Sequence, residues 1–174
     1  MQSLHKISQR IDQFNDWVGR TIAWLTLFMV LVQLSVVIMR YVFSIGSISL
    51  QETIWYMHGT VFMAAAGAVF LIDGHVRIDV FYGAKSKVYQ AWVNLLGIIF
   101  LLIPVCFTTI WLSWGYVTNS WATLEGSIEL SGLPFIFLYK TVIWVFAAFL
   151  GLQAVSEAIK SLLVIRGQAD EVAA

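Results

Sequence analysis

Residues 21–39 read TIAWLTLFMVLVQLSVVIM and contain no charged side chain. Arg20 and Arg40 close this run at its two ends. A helix of such length rises about 28 Å, close to the roughly 30 Å hydrocarbon thickness of a bilayer. Because a segment in lipid must satisfy its own backbone hydrogen bonds, the run predicts a membrane-spanning helix.

Three further apolar stretches follow this one along the chain. With the first, they predict spans over residues 18–42, 51–73, 87–122 and 134–158. The third stretch is too long for one upright span and too short for two spans with a turn. It therefore predicts one long helix, tilted or protruding, with Pro104 as the candidate kink.

The composition agrees with a membrane protein. Hydrophobic residues make up 60% of the 174 residues and charged residues only 11%, against about 25% charged in soluble domains. The formal net charge is zero, which argues against nucleic acid as a partner. Cys106 is the one cysteine, so neither an intramolecular disulfide nor a cysteine-cluster metal site is expected. The predicted fold is a single-domain, all-α integral membrane bundle of four transmembrane helices.

The segment before the first span has a helical pattern of its own. Apolar residues recur every three or four positions at Leu4, Ile7, Ile11, Phe14 and Val18, and polar residues, among them Asp12, fill the other face. The pattern predicts an amphipathic interfacial helix over 3–16, lying on the inner membrane surface before the chain turns into the first span. A frayed polar tail is the alternative. Residues 167–174 are predicted to be a flexible tail.

Basic residues are distributed unequally between the two sides of the predicted bundle. One side has Arg40 and Lys140, and the other has Lys6, Arg10, Arg20, Arg77, Lys85, Lys87, Lys160 and Arg166. Because Lys and Arg accumulate in cytoplasmic segments, both termini are predicted to be cytoplasmic. Interfacial basic groups attract anionic lipids, so four residues are candidates for headgroup contacts: Arg20, Arg40, Lys85 and Lys87.

Glu52 and Lys140 are the ionisable residues that open the second span and begin the fourth. Both are predicted to lie at the outer side, at shallow depth. We interpret them as a structural ion pair between these two spans. A proton or ion relay is the alternative, but it needs titratable groups across the whole membrane. His58 is the only acid or base near the middle of a span.

Two other polar features carry weak signals for chemistry. His58 has no second histidine facing it in the bundle, so a packing role is favoured over haem ligation. His75, Arg77 and Asp79 follow the second span, but one histidine and one aspartate make a poor ligand set. No nucleophile lies near them. No catalytic, cofactor or metal residue is predicted, and the chain is not expected to be an enzyme.

Small residues recur every four positions in the second span, at Thr60, Ala64 and Ala68. Such faces let helix backbones approach closely. We expect this helix to pack within the bundle or against another protein.

Several motifs in combination resemble a known family. Glu52 is followed 23 positions later by His75-x-Arg77-x-Asp79, extended as Val80-Phe81-Tyr82. Further matching motifs are Gly132-Leu133-Pro134, Lys140 and Gln153-x-x-Ser156-Glu157. With four spans, these resemble the small membrane subunit, the Q or DctQ-like component, of tripartite ATP-independent periplasmic (TRAP) transporters. The chain departs from the family in two places: Ser49-Leu50-Gln51 lacks the tryptophan that many members carry just before the acid, and Thr60 stands where tryptophan is frequent.

The resemblance implies a role that the motifs alone do not give. It implies a non-catalytic subunit of a bacterial inner-membrane transporter, in a heterodimer with a large membrane subunit that carries organic acids coupled to sodium. A periplasmic substrate-binding protein would be a further partner, and sodium would bind the large subunit. Contact roles are then expected for Glu52, His75, Arg77, Asp79 and Lys140. The alternatives are an oxidoreductase membrane anchor and a small self-assembling channel or exporter.

Overall fold

The structure, a computed structural model, describes residues 2–76 and 82–167. All regular structure in these residues is helical. The helices are α1 (Gln2–Val42), α2 (Ile48–Ala64), α3 (Ala66–Leu71), α4 (Lys87–Gly97), α5 (Ile103–Ala122) and α6 (Ile136–Ile165). Four helical stretches are long and apolar enough to cross a membrane: 3–42, 48–71, 87–122 and 136–165. The predicted all-α, four-span fold is confirmed.

The first helix differs from the prediction at its start. α1 runs unbroken from Gln2 to Val42, so there is no turn between a separate helix over 3–16 and the first span. The physical reason lies in α6, which continues to Ile165 and gives the first turns of α1 a helix to pack on. Leu4, Ile7 and Phe14 remain exposed. Contact of this apolar stripe with the membrane surface stays a prediction.

The second span, α2 and α3, packs closely against its neighbours. Ala64, Ala66 and Gly67 are buried. A Cβ atom on Gly67 would lie only 2.7 Å from the carbonyl oxygen of Phe149 in α6. Ala68 is equally close to Gly19 of α1, whose Cβ would lie 2.6 Å away. The predicted close packing of this helix is confirmed, and it occurs within the bundle.

The third span contains a π-helical turn between α4 and α5, over Ile98–Leu102. The N–H of Ile103 bonds to the carbonyl of Ile98, five residues back. Pro104 follows directly and has no N–H to donate. The irregularity expected at this proline is therefore a widened turn, a usual cause of helix distortion.

An apolar core fills the middle of the bundle. It contains Ala66, Cys106, Ala147 and Leu150, contributed by α3, α5 and α6. Phe70, Leu102, Ile110 and Phe146 pack around it. Most polar side chains that are buried in the described residues therefore lie towards the two ends of the bundle.

Candidate functional site: two polar clusters at the ends of the bundle

The polar residues that are buried in the described part of the chain are Ser8, Asn15, Glu52, Ser120, Gln153, Ser156 and Ser161. Most of them fall into two groups. One group joins the N-terminal half of α1 to the C-terminal half of α6, and we call it the α1–α6 cluster. The other surrounds Glu52 and the loop 123–135, and we call it the loop cluster.

The α1–α6 cluster is centred on an ion pair. The Nζ of Lys160 lies 2.8 Å from a carboxylate oxygen of Asp12 and 2.7 Å from one of Glu157. About a fifth of each side chain in the Asp12–Lys160 pair is exposed. Ser156 donates a further hydrogen bond of 2.6 Å to Asp12. Charge-assisted bonds of this kind stabilise a folded protein by roughly 2 kcal/mol each.

Amide and hydroxyl groups extend this cluster along both helices. Asn15 donates to Gln153 across 2.8 Å, and Gln153 donates in turn to Asp12 across 2.9 Å. Ser8 and Ser156 are joined by a hydroxyl–hydroxyl bond of 2.7 Å. Asn15, Gln153 and both serines are fully buried or nearly so. Buried polar groups that satisfy one another fix the register of two helices.

This cluster was not predicted from the sequence. The apolar spacing puts Asp12 on the polar face of an interfacial helix, whereas in the structure Asp12 faces α6. A usable signal was present in the spacing. Ser8, Asp12 and Asn15 follow an i, i+4, i+7 pattern, and positions 153, 156 and 160 follow i, i+3, i+7. Each set therefore lies on one helix face.

Glu52 is the centre of the loop cluster and lies in the second turn of α2, where it is 8% exposed. One carboxylate oxygen accepts the backbone N–H of Leu133 at 2.6 Å. The other accepts the hydroxyl of Ser127. Ser49, also in α2, donates to the carbonyl of Ser131. Glu52 therefore holds the loop 123–135 down on the start of α2.

Lys140 has a different partner from the one predicted. Its Nζ lies 2.5 Å from a carboxylate oxygen of Glu125 and 3.9 Å from the ring centre of Tyr116. The Glu52–Lys140 ion pair is absent from this arrangement, so that prediction is wrong. The physical reason is the loop between them: it offers Glu125 to the lysine and a backbone N–H to Glu52. Glu125 lies outside the spans, and its hydrogen bond from Lys140 holds the pKa of its carboxyl below the usual value.

A cleft of about 400 Å³ opens beside the loop cluster. Its lining includes Glu52, Lys140 and the rings of Trp55, Tyr56, Tyr116 and Tyr139. Tyr56 and Tyr139 stack on each other with ring centres 4.8 Å apart. The two predicted outer residues thus share one cleft without contacting each other.

The remaining predicted residues are more exposed. His75 is exposed and lies near Phe70, with ring centres 6.0 Å apart. Arg77 and Asp79 lie outside the described residues, so their contact roles stay predictions. His58 is exposed on α2. The described ranges contain no group of three or more His, Cys, Asp or Glu side chains that could hold a metal ion.

The four candidate lipid contacts are all exposed residues near helix ends or the span boundary. Arg20 pairs with Asp16 one turn earlier in α1, at 2.8 Å. Lys85 lies 5.9 Å from the ring centre of Tyr89. Arg40 lies in the last turn of α1, and Lys87 is the first residue of α4. Their contact with headgroups stays a prediction.

A known family of membrane proteins matches most of the chain. The family model described as "Tripartite ATP-independent periplasmic transporters, DctQ component" matches residues 29–163 of the 174-residue chain. This range contains the second and third spans whole, the first span from Met29 onwards and the fourth span up to Leu163. The chain belongs to the DctQ family. Searches of curated proteins and of solved structures gave no match.

Membership of the DctQ family defines the general role of the chain. A DctQ protein is the small membrane component of a TRAP transporter, and this chain has the multi-pass helical structure of such a subunit. The matched range includes the whole loop cluster. It includes only the α6 half of the α1–α6 cluster, because Ser8, Asp12 and Asn15 precede it. The first turns of α1 therefore lie outside the matched range.

Proposed function

We propose that this DctQ protein is a scaffold. It braces and anchors the large membrane subunit of its transporter in a heterodimer, and it does not itself carry substrate or catalyse a reaction. The observation that carries this proposal is that the charged side chains facing the bundle are paired or hydrogen-bonded within the chain itself. Asp12 pairs with Lys160, Lys140 with Glu125, and Glu52 is held by the loop. The apolar core separates the two clusters, which leaves no polar pathway among the described residues.

The finer part of the proposal concerns transport. The transporter takes up organic acids coupled to sodium, a periplasmic protein delivers the substrate, and the substrate and sodium sites lie on the large subunit. Support comes from the sequence His75-Val76-Arg77-Ile78-Asp79-Val80-Phe81-Tyr82, which looks like that of the family branch associated with 2-oxo acids and related organic acids.

The proposed location is the bacterial inner membrane, with both termini in the cytoplasm. The support is the excess of Lys and Arg on that side. Two single-cysteine variants test it in a Cys106→Ala background: Leu130→Cys in the loop 123–135 and Ala84→Cys before α4, both at exposed positions. A membrane-impermeant maleimide added to intact spheroplasts should label position 130 and not 84. The opposite pattern would reverse the orientation.

Reconstitution tests the scaffold role itself. The purified chain in liposomes should show no uptake of organic acid, whereas the chain with its large subunit and the periplasmic protein should show sodium-dependent uptake. Transport by this chain alone would contradict the proposal and favour a channel or exporter. A haem-like visible spectrum of the purified chain would favour the oxidoreductase anchor instead.

A further inference from the structure

Two polar side chains stand on the outside of the bundle at mid-membrane depth. Gln33 lies nine residues before Val42, the end of α1, and His58 lies ten residues after Ile48, the start of α2. These positions are about 14 and 15 Å from the same end of the bundle. That depth is near the centre of a hydrocarbon layer roughly 30 Å thick. Both side chains are exposed.

Neither side chain has a hydrogen-bond partner among the residues that the structure describes. Two exposed hydroxyls in the spans bond to their own helix instead. Ser35 donates to the carbonyl of Leu31 at 2.9 Å, and Thr108 donates to that of Pro104 at 2.7 Å. Leaving an amide or an imidazole unpaired in hydrocarbon is costly. We therefore expect Gln33 and His58 to form hydrogen bonds with polar groups of another molecule.

The two side chains line the same groove between α1 and α2. It measures about 330 Å³, and the other residues that line it are Met29, Val30, Ile54 and Trp55. Trp55, His58 and Phe62 follow an i, i+3, i+7 pattern and form an exposed ridge along α2. Methionine and aromatic side chains around a few polar groups are typical of protein interfaces. Lipid tails would fill the groove but could not bond to the two polar groups.

We infer that this α1–α2 groove is where the chain binds a membrane-spanning helix of the large subunit, one that presents hydrogen-bonding side chains to Gln33 and His58. The inference rests on the proposed function, which supplies a large membrane partner. It adds which face of the bundle meets that partner and what chemistry the partner helix carries. The faces formed by α4 and α5 are then left to lipid.

Photo-crosslinking tests the inference in membranes that contain both subunits. p-Benzoylphenylalanine replaces Val30, which lines the groove and is 57% exposed. The matched control replaces Leu112 of α5, which is 80% exposed and lies outside the groove. Irradiation should join position 30 to the large subunit and leave position 112 without a protein adduct. Recovery of the large subunit with the tagged chain, before irradiation, is measured in the same preparations.

The recovery separates two kinds of failure. If the large subunit is recovered but crosslinks only to position 112, or to neither position, the groove is not the docking surface and the subunit role stands. An adduct between two copies of this chain at position 30 would also overturn the inference. If no large subunit is recovered with either chain, both the inference and the proposed function fail.

Substitutions give a second, independent readout. Gln33→Leu and His58→Leu should each weaken the complex about threefold, since interhelical hydrogen bonds in membranes have modest energies. The double variant should lose close to tenfold. Thr108→Val is the control, because Thr108 bonds within its own helix, and it should change the affinity by less than twofold. Equal affinity for the double variant and the control would contradict the assignment.

Discussion

The carboxylate of Glu52 accepts a 2.6 Å hydrogen bond from the backbone N–H of Leu133, 81 residues later in the chain. The bond ties the start of the second span to the loop that leads into the fourth. Glu52 is therefore satisfied by a loop rather than by a cation. The role of Glu52 is structural, as the sequence predicts, but its partners are Leu133 and Ser127 and not Lys140.

Removing the charge of Glu52 should release this loop. Glu52→Gln replaces one charged acceptor oxygen with an NH2 donor, so both bonds lose the assistance of the negative charge, and the bond with Ser127 has to reverse its direction. We expect a destabilisation of roughly 1–3 kcal/mol and faster proteolysis within the loop 123–135. Thermal unfolding and limited proteolysis in detergent measure the two effects. Glu129→Gln, the same change at an exposed position in the same loop, should match the wild type. Equal behaviour of the two variants would refute the role given to Glu52.

The partner of Lys140 can be identified by exchanging charges. Lys140→Glu should lower the unfolding temperature because it places two carboxylates side by side. Adding Glu125→Lys should restore much of the loss. Adding Glu52→Lys instead should not, since Glu52 does not contact Lys140. Restoration by Glu52→Lys and not by Glu125→Lys would contradict this account and support the Glu52–Lys140 ion pair predicted from the sequence.

The predicted and observed structures differ most where contacts join distant parts of the chain. Hydropathy and spacing gave the four spans and the long third helix, because lipid imposes length and composition on each span locally. They could not predict the partner of Glu52, because that partner is a backbone N–H, which every residue except proline has. Asp12 was misplaced for a related reason. A carboxylate is stable either in water or beside a lysine such as Lys160, and the sequence near Asp12 does not distinguish the two. Asp12 can reach Lys160 because α6 extends to Ile165.

The loop cluster should respond to acid through Glu125. Lys140 holds the pKa of this carboxyl below its model-compound value of 4.5. A lowered pKa in the folded state means that the stabilisation is present above pH 4.5 and is lost as the pH falls through the folded value. Proteolysis of the loop by an acid-active protease should therefore rise as the pH falls below 4.5. Glu125→Gln should weaken the protection of the loop at neutral pH and make that protection less dependent on pH than in the wild type. A wild-type loop that stays equally protected down to pH 2 would contradict this account.

The pair of buried amides in the α1–α6 cluster should show coupling. Asn15→Ala leaves Gln153 without its donor, and Gln153→Met leaves Asn15 without its acceptor. Each should destabilise the protein by roughly 1–3 kcal/mol. The double variant should cost less than the sum by about 1 kcal/mol. Gln13→Ala, at an exposed position of the same helix, serves as the control. Strict additivity in SDS-induced unfolding would mean that the two amides act separately.

The stoichiometry of the complex purified from native membranes tests the scaffold role most directly. A tag on this chain, mild detergent and native mass spectrometry give the composition. The account predicts one copy of this chain with one copy of a much larger multi-span membrane protein, stable through size exclusion. Recovery of a homo-oligomer alone, from cells that also contain the large subunit, would contradict it.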